Sequence, residues 1–270
     1  MRVVDPAVGL LFPPETHANG CFETMRAYQG KLFRLSDHLD RLYASAAFLG
    51  TRAPADRKAF SEKLIQALKR SGIQEAVVRV ALIPQAKAEA KPNMVVQPAV
   101  MPTAENYRDG LQIAVVPAKK FSVGSITPQA KYSARLGSVM AVADAQLRGV
   151  DEALFLDETG SVTESTASNF GMIKRKMIIT PPCSLGLLAG ITRDVLAEIA
   201  EEAGAGFAEE PLTRHDIYNA DEAFLTSTLK EVIGVTEIDG RTIGTGKPGP
   251  ITRKLLKAFR LLVKRELKLK

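Results

Sequence analysis

KYSARLGSVMAVADAQLRGVDEALFLDETGSVTESTASNFG, at residues 131–171, carries most of the information about the fold. In it Lys131 stands just ahead of a predicted helix, which Gly149 ends in a left-handed conformation. A short apolar strand at 153–156 and a turn at 157–160 follow, and a second strand carries Glu164. A lysine and a carboxylate therefore lie at the ends of neighbouring elements, beside a run of small polar residues. The predicted helix has an apolar stripe at Leu136, Val139, Met140, Ala143 and Leu147.

The composition is that of a globular protein. The chain has 270 residues, enough for one large domain or two small ones, and is 46% hydrophobic and 24% charged. No segment approaches the roughly 18 apolar residues that span a bilayer. The N-terminus, with an early acid and three prolines, does not resemble a secretory signal. Cys21 and Cys183 lie far apart, without zinc spacing or a disulfide framework, so a reducing cytoplasm is expected.

The basic charge is concentrated at one end of the chain. The net charge is +6, but residues 253–270 alone contribute eight Lys or Arg and one Glu. The rest of the chain is therefore close to neutral. No aromatic residues interleave with these charges in a way that would stack bases. We interpret the basic segment as a solvated helix face and expect no nucleic-acid partner.

Strands and helices segregate along the sequence, as in an α+β fold. The first half predicts a hairpin around Gln29-Gly30, then a helix with Ser36 as its N-cap and a second helix with Asp56 as its N-cap. A segment containing Pro and Asn separates the two halves of the chain. We therefore predict a small N-terminal α/β domain at residues 1–103, a linker at 104–110 and a larger mixed β/α domain at 111–270.

Several common kinds of site are disfavoured. His17, His38 and His215 share no metal spacing and do not cluster with carboxylates, so a metal enzyme is not expected. A Ser-His-Asp hydrolase is not expected, because no G-x-S-x-G elbow appears. Residues 244–249, GTGKPG, match the G-x-G-x-x-G of dinucleotide folds. They follow a predicted tight hairpin and no βαβ unit comes after them, so we interpret them as a loop and the start of a helix.

Two hydroxyl-bearing segments are candidates for binding phosphate. Residues 190–192, GIT, open a predicted helix whose N–H groups favour an anion, and residues 226–228, TST, follow an apolar strand. By themselves they are more simply a cap and a turn, and Arg41 a surface charge. Together with Lys131 and Glu164 they match what pyridoxal 5'-phosphate needs. That cofactor takes a lysine, a carboxylate at its pyridine nitrogen, and phosphate-binding groups.

Several motifs occur in the right order between Gly20 and Phe259. The most specific is DEALFLDETGSVTESTASNF at 151–170. It is supported by GITRD at 190–194, FLTST at 224–228, GKPGPITRKL at 246–255, FETMRAY at 22–28 and HLDRLYASA at 38–46. With these motifs the chain resembles the fold-type IV pyridoxal-phosphate enzymes, the class IV aminotransferases. The family includes branched-chain aminotransferases, D-amino acid aminotransferases and 4-amino-4-deoxychorismate lyases. The resemblance implies a two-domain α+β fold like that of D-amino acid aminotransferase.

The resemblance implies a role for each side chain that matches a family motif. Lys131 looks like the lysine that forms the Schiff base and, once freed, moves the α-proton of the substrate. Glu164 looks like the partner of the pyridine nitrogen, and Arg41 looks like a phosphate ligand. Ile191, Thr192 and Thr228 would complete the phosphate site, and Phe22, Arg79 and Ala167 are candidates for contact with the substrate.

The sequence departs from the branched-chain pattern near the lysine. Arg135 and Leu136 stand where branched-chain enzymes usually have Asn-Tyr, and leucine there is seen in D-amino acid enzymes and lyases. Residues 79–100 contain neither the Arg-x-His pair of D-amino acid enzymes nor the Arg-Pro pair of branched-chain enzymes. Only nineteen residues precede Gly20, so we expect shortened opening strands. The chemistry is therefore better determined than the substrate.

Three functions follow from these observations. The leading hypothesis is a pyridoxal-phosphate aminotransferase that acts on a small amino acid, branched-chain-like or D-configured, and on a 2-oxo acid. The K-x-x-x-R-L pattern from Lys131 also suggests an alternative, a lyase that eliminates pyruvate from aminodeoxychorismate. The third is a non-catalytic homologue that binds a partner through its basic C-terminal helix. The resemblance further implies a homodimer.

Overall fold

The structure is a computed structural model, which describes residues 20–85, 88–116 and 129–269. The chain divides into two compact units. As far as they are described, the first unit contains residues 20–100, Gln129–Arg135 and the residues after 262, and the second contains residues 101–116 and Leu136–Leu262. The predicted domain boundaries remain predictions. The shortened opening strands expected before Gly20 fall outside the described residues.

Two helices cover one face of a four-stranded antiparallel sheet in the first unit. The elements are β1 (Cys21–Tyr28), β2 (Lys31–Leu32), α1 (Leu35–Phe48), α2 (Arg57–Ser71), β3 (Ala76–Ile83) and β4 (Lys91–Pro98). The strand order is β2-β1-β3-β4. Met25 and Val78 pack with Leu42 and Leu64 of the helices, so the alternate strand residues, such as Arg79, lie on the other face.

The turns of this unit test the local predictions. The hairpin around Gln29-Gly30 is confirmed, and Asp56 caps α2 by accepting a hydrogen bond from the Ala59 N–H at 2.8 Å. The prediction that Ser36 caps α1 is wrong, because the N-cap is Arg34, two residues earlier. The left-handed backbone of Arg34, with φ of 52°, turns the chain into the helix without a side-chain cap. The hydroxyl at position 36 is therefore already inside the first turn.

The second unit is built on a nine-stranded sheet that mixes parallel and antiparallel pairings. Its strands are β5 (Leu111–Val115), β6 (Glu152–Leu156), β7 (Val162–Ser165), β8 (Asn169–Lys174), β9 (Met177–Thr180), β10 (Gly206–Glu209), β11 (Glu222–Ser227), β12 (Glu231–Ile238) and β13 (Arg241–Thr242). The strand order is β10-β9-β8-β11-β12-β5-β6-β7, and β13 pairs with β12. The pairings β10–β9, β12–β5 and β5–β6 are parallel, and the others are antiparallel.

The last strand of that order, β7, also pairs with β8. Six strands therefore close into a ring, and the closure leaves no unpaired edge within it. The pairing places Glu164, near the end of β7, opposite Asn169, the first residue of β8. Asn169 in turn lies opposite Thr226 of β11. Ring closure thus brings polar residues from three strands to one end of the sheet.

Within the described residues, five helices accompany this sheet, and a 3-10 turn lies at Cys183–Leu185. The helices are α3 (Ala104–Asp109), α4 (Leu136–Leu147), α5 (Ile191–Ile199), α6 (Arg214–Tyr218) and α7 (Pro250–Leu267), of which the residues of α7 up to Leu262 belong to this unit. The segment predicted as a linker contains α3, whose start carries a reciprocal capping box between Thr103 and Asn106.

The apolar stripe of α4 does not face the core of its own unit. Leu136 is 70% exposed and Leu147 is 88% exposed, and the other three stripe residues are exposed as well. The helix instead packs through small residues, Ala141 and Ala145, against Phe155 and its neighbours. Small side chains let a helix approach a strand closely, which leaves the large residues on the opposite side.

Candidate active site

The first unit holds Lys131 in a short segment attached to the start of β1. The Lys131 carbonyl accepts a hydrogen bond from the Phe22 N–H at 3.0 Å, and its own N–H donates to Ser45 Oγ at 2.9 Å. The next residue, Tyr132, bridges to Cys21. Backbone bonds on both sides therefore fix the position of Lys131 against β1 and α1.

The side chain of Lys131 extends over an aromatic ring. Its Nζ lies 5.0 Å from the centre of the Phe22 ring, and the Arg135 guanidinium carbon lies 5.8 Å from the same centre. These are cation–π distances. Lys131 and Phe22, both predicted as site residues, are therefore neighbours, and Arg135, where branched-chain enzymes usually carry Asn, points to the same ring.

Arg41, predicted as a phosphate ligand, pairs with a buried carboxylate. Its Nε and Nη2 donate to the two oxygens of Glu23 at 2.6 and 2.9 Å, and His38 Nδ1 lies 2.8 Å from Glu23 Oε2. Glu23 is completely buried, and the sequence motifs had suggested no binding role for it. The available signal was its place between Cys21 and Met25 on the core face of β1, where an acid needs a partner. Whether Arg41 binds phosphate stays a prediction.

The charges around Glu23 determine its protonation state and that of His38. Burial by itself raises the pKa of Glu23, but Arg41 and His38 lower it well below its usual range. Burial lowers the pKa of His38 by more than Glu23 raises it, with Arg41 and Lys131 adding to the decrease. At neutral pH Glu23 is therefore ionised and His38 is neutral. Nδ1 of His38 must then be the donor, because a carboxylate only accepts.

The low pKa of His38 predicts a pH-dependent stability. Because its folded-state pKa lies below the unfolded value, protonation favours the unfolded chain. Stability is complete above about pH 6.5 and falls at lower pH by up to about 1.4 kcal/mol per pH unit. We expect H38Q, which keeps a donor to Glu23 but cannot titrate, to flatten this slope in thermal unfolding between about pH 7 and about pH 5. H215Q, at an exposed histidine of α6, is the matched control and should keep the wild-type slope.

Arg79, a predicted substrate contact, is buried on β3 opposite Thr24 of β1. It lies on the sheet face that α1 and α2 do not cover. Phe22 lies on the same face of β1, opposite Ala81. The structure therefore places Arg79 and Phe22 on one side of the sheet, and Arg41 with Glu23 on the other.

The second unit holds Glu164 at the point where the ring closes. Glu164 is buried and accepts hydrogen bonds from the Leu188 N–H at 3.2 Å and from Asn169 Nδ2 at 3.4 Å. Asn169 also donates to the Leu188 carbonyl at 2.8 Å. Both bonds fix the orientation of the Glu164 side chain at this end of the sheet. Asn169, which orients Glu164, was missed because its partners are set by strand pairing.

The N-terminus of α5 lies beside the same asparagine. Gly190 is the N-cap, no side chain caps the helix, and Ile191 and Thr192 open it with buried side chains. A Cβ atom at Gly190 would clash with Asn169 Oδ1, so a larger residue here would displace the asparagine side chain. The first N–H groups of an α-helix have no intrahelical partner and favour an anion. Glu164 and the predicted phosphate-binding turn are therefore adjacent.

Two further predicted residues lie in loops of this unit. Thr228 is half-buried in the turn after β11, and Ala167 is half-buried in the turn between β7 and β8. Between them in the sheet, Thr226 opposes Asn169, and its buried hydroxyl has no hydrogen-bond partner within the described part of the chain. An unsatisfied buried hydroxyl is costly unless a ligand completes it. Glu164, the start of α5 and these hydroxyls suit one organic cation and one phosphate.

An ion pair links the two turns. Lys230 Nζ lies 2.6 Å from Glu152 Oε2 and donates to Ser168 Oγ at 3.1 Å, and Thr166 also bonds to Glu152. Lys230 is the last residue of the turn that carries Thr228, and Ser168 is in the turn that carries Ala167. The pair therefore holds both loops in place.

The sequence model of the amino-transferase class IV family matches residues 20–238. The chain belongs to this family. It is 36% identical over 251 residues to a putative branched-chain-amino-acid aminotransferase of Methanocaldococcus jannaschii, covering 90% of this chain and 87% of the relative. It is 33% identical over 256 residues to a D-alanine aminotransferase of Bacillus licheniformis, covering 89% and 86%. The branched-chain amino acid aminotransferase of Thermobaculum terrenum, solved in its PLP form, superposes with a TM-score of 0.83 at 26% identity, over 96% and 89% of the chains.

These matches confirm the predicted fold, which is that of the fold-type IV enzymes. They also favour amino transfer over the lyase and over a non-catalytic binding protein, because the relatives are named as aminotransferases. Both branched-chain and D-alanine aminotransferases are among these relatives.

Two other kinds of feature do not occur in the described parts of the chain. In residues 20–85, 88–116 and 129–269, no helix is long and apolar enough to cross a bilayer. In the same ranges no group of three His, Cys, Asp or Glu residues is arranged to hold a metal ion.

Proposed function

We propose that this class IV aminotransferase uses pyridoxal 5'-phosphate to move an amino group between a small amino acid and a 2-oxo acid. The observation that carries the proposal is the buried Glu164 carboxylate beside the uncapped start of α5. The pair suits a protonated ring nitrogen and a phosphate, the two charged ends of this cofactor. When bound, the cofactor withdraws electrons from the substrate carbon that loses its proton.

Four residues of the second unit are proposed to bind the cofactor. Glu164 would hold the protonated ring nitrogen of the cofactor, because a carboxylate stabilises a neighbouring cation. The N–H groups of Ile191 and Thr192 and the hydroxyl of Thr228 bind the phosphate. The Thr226 hydroxyl, two residues before Thr228, has no hydrogen-bond partner among the described residues, which supports a polar ligand at this end of the sheet.

In the first unit, Lys131 and Arg41 are proposed to act on the cofactor and the substrate. Nζ of Lys131 would hold the cofactor and, when free, would move the substrate α-proton as general base. The guanidinium of Arg41 binds the phosphate, because its planar set of N–H donors matches the spacing of phosphate oxygens. The hydrogen bonds of the Lys131 backbone to Phe22 and Ser45 support this assignment, since a reacting amine must be held in a fixed position.

Three residues are proposed to contact the substrate. Phe22 supplies an apolar wall, Arg79 a positive charge for a carboxylate, and Ala167 a small residue that leaves room for the amino acid. Burial of Arg79 supports its role, since charges at low dielectric interact strongly. Because Arg79 lacks the following proline of branched-chain enzymes, a preference for one amino acid or one chirality is left to the assay.

The deciding experiment is a substrate panel on the purified protein loaded with pyridoxal 5'-phosphate. L- and D-configured small amino acids are offered with 2-oxoglutarate or pyruvate, and new 2-oxo acid is measured. The proposal expects amino transfer with at least one branched-chain-like or D-amino acid. Cofactor binding without transfer to any acceptor would contradict it.

The two alternatives give different results in the same preparation. A lyase releases pyruvate from aminodeoxychorismate without an acceptor oxo acid. A binding protein stays colourless and takes up no pyridoxal 5'-phosphate. Neither outcome is expected.

We further propose that the enzyme is a homodimer and that the exposed face of α4 forms part of the contact. The apolar stripe, defined by Leu136, Val139, Met140, Ala143 and Leu147, carries no charge. Contiguous exposed apolar surface is typical of an interface, and a second copy offers the same apolar stripe. We therefore propose that a second copy of this chain covers the apolar stripe.

A charge placed in this stripe tests the dimer. We expect M140D to yield monomers in light scattering at concentrations where the wild type is dimeric, since burying an unpaired carboxylate costs about 3 to 5 kcal/mol. L261D is the matched control, at a similarly exposed leucine on α7, and should remain dimeric. A monomeric wild type, or a dimeric M140D protein, would contradict the proposal.

We also propose a cytoplasmic location. Cys21 and Cys183 are unpaired, and Cys21 is buried. Burial raises the pKa of the Cys21 thiol to about 12, which keeps it protonated and unreactive. Thiol labelling of the unfolded protein from cells should find both cysteines reduced, and a disulfide between them would contradict this location.

A further inference from the structure

Glu23 is a carboxylate in a place that favours an apolar side chain. It lies on the face of β1 that carries Cys21 and Met25, within the core cluster of the first unit, and is completely buried. Removing a carboxylate from water costs several kcal/mol after relaxation, and a well-packed apolar residue is often as stable or more stable. Its presence in the core therefore calls for a role other than stability.

The contacts of Glu23 are directional. Its two oxygens accept from Nε and Nη2 of Arg41 at 2.6 and 2.9 Å, two bonds that fix the plane of the guanidinium as a single bond cannot. His38 holds Oε2 from another side at 2.8 Å, and being neutral it adds no charge that would compete with Arg41. Glu23 is thus a rigid anchor, and Arg41, whose side chain is 13% exposed, is the partner nearer to solvent.

The same network reaches Lys131. Ser45 lies one helical turn after Arg41 on α1, and its hydroxyl donates to the Arg41 carbonyl at 2.8 Å. The Ser45 hydroxyl also accepts from the Lys131 N–H at 2.9 Å. A continuous chain of hydrogen bonds therefore connects Glu23, Arg41, Ser45 and Lys131 within the first unit. The groups proposed to bind phosphate and to carry the reactive amine share one support.

We propose that Glu23 is a positioning residue, which orients the Arg41 guanidinium toward the cofactor phosphate while His38 restrains the carboxylate. This inference rests on the proposed function. A long arginine loses side-chain entropy when it binds an anion, and an arginine already held in one orientation loses less. Glu23 acts through Arg41 and does not itself touch the cofactor.

The test compares two cofactor forms on matched variants. In E23Q one acceptor oxygen becomes an NH2 donor that faces the Arg41 guanidinium. The paired hydrogen bonds to Arg41 are therefore lost, while the volume of the side chain at position 23 hardly changes. We expect the Kd for pyridoxal 5'-phosphate to rise on the order of 10- to 100-fold, the range found when the hydrogen-bond partners that orient metal-binding side chains are mutated. The Kd for pyridoxal, which has no phosphate, should change by no more than about twofold. Binding is followed by visible absorbance, without turnover.

A double-mutant cycle separates positioning from general damage. In an R41A background, E23Q should have no further effect on binding, because the residue that it orients is absent. Equal losses for both cofactor forms, or additive effects of the two mutations, would overturn the inference. If E23Q does not fold, E23D takes its place, since it keeps the charge but is one methylene too short to hold both nitrogens.

Failure of the proposed function is distinguishable from failure of this inference. If the wild type binds neither form, the function is wrong. If the wild type binds pyridoxal 5'-phosphate more tightly than pyridoxal and E23Q retains that preference in full, the function stands and Glu23 has no positioning role.

Discussion

K131A is expected to abolish transamination, with a fall in kcat/KM of at least about 10³-fold. The mutation removes the amine that is proposed both to hold the cofactor and to act as the base for the substrate proton, and general base catalysis alone contributes about 10²- to 10⁴-fold. Borohydride reduction followed by mass spectrometry should find the cofactor on the peptide that contains Lys131 in the wild type. No covalent label should remain in K131A.

A second lysine mutation controls for charge. K257A removes an exposed lysine of α7 and should retain wild-type labelling and turnover. Thermal unfolding of K131A should stay close to that of the wild type, because the backbone bonds of residue 131 to Phe22 and Ser45 do not use its side chain. Covalent labelling of K131A at another lysine would show that the assignment is wrong.

E164Q is expected to bind the cofactor but turn over slowly. Glutamine retains the shape and an acceptor for Leu188 or Asn169, so the fold around the ring closure should persist. The negative charge that is proposed to keep the ring nitrogen protonated is lost. A hydrogen bond to a charged group is worth up to about 3 kcal/mol, which corresponds to a fall in kcat on the order of 100-fold. The measurement is single-turnover kinetics with the best amino acid of the panel.

Glu222 is the matched control, a second buried carboxylate in the same unit. It accepts hydrogen bonds from the N–H groups of Ile251 and Thr252 at 2.9 and 2.7 Å, at the start of α7. E222Q should lower the unfolding temperature, since a charge at a helix N-terminus is lost, but leave kcat unchanged. An E164Q protein with wild-type kcat, or one that cannot bind the cofactor at all, would contradict the role of Glu164.

Local signals predicted the local elements well. The Gln29-Gly30 hairpin and the Asp56 cap depend on hydrogen bonds between residues a few positions apart, so the local sequence is enough to predict them. The Ser36 cap was misplaced because the left-handed Arg34 starts α1 two residues early. Arg34 also pairs with Glu266, 232 residues away, a contact that no local pattern contains.

Side-chain types were predictable where the family motifs name them. Lys131, Glu164 and the start of α5 were predicted as site residues from the sequence, because a lysine, a carboxylate and a helix N-terminus each have their own chemistry, and their roles stay predictions. The partners of these residues could not. Asn169 reaches Glu164 because β7 pairs with β8, and Glu23 reaches Arg41 because β1 lies under α1.

By itself, the sequence determined the fold class, the class IV aminotransferase family, and the Gln29-Gly30 hairpin and Asp56 cap. The tertiary structure alone decided which face of α4 is buried, how Glu164 is held and why Glu23 is ionised in the core. The physical reason is the range of the interactions. Turns and caps are set by hydrogen bonds between near neighbours, whereas burial and ion pairing depend on which distant elements pack together.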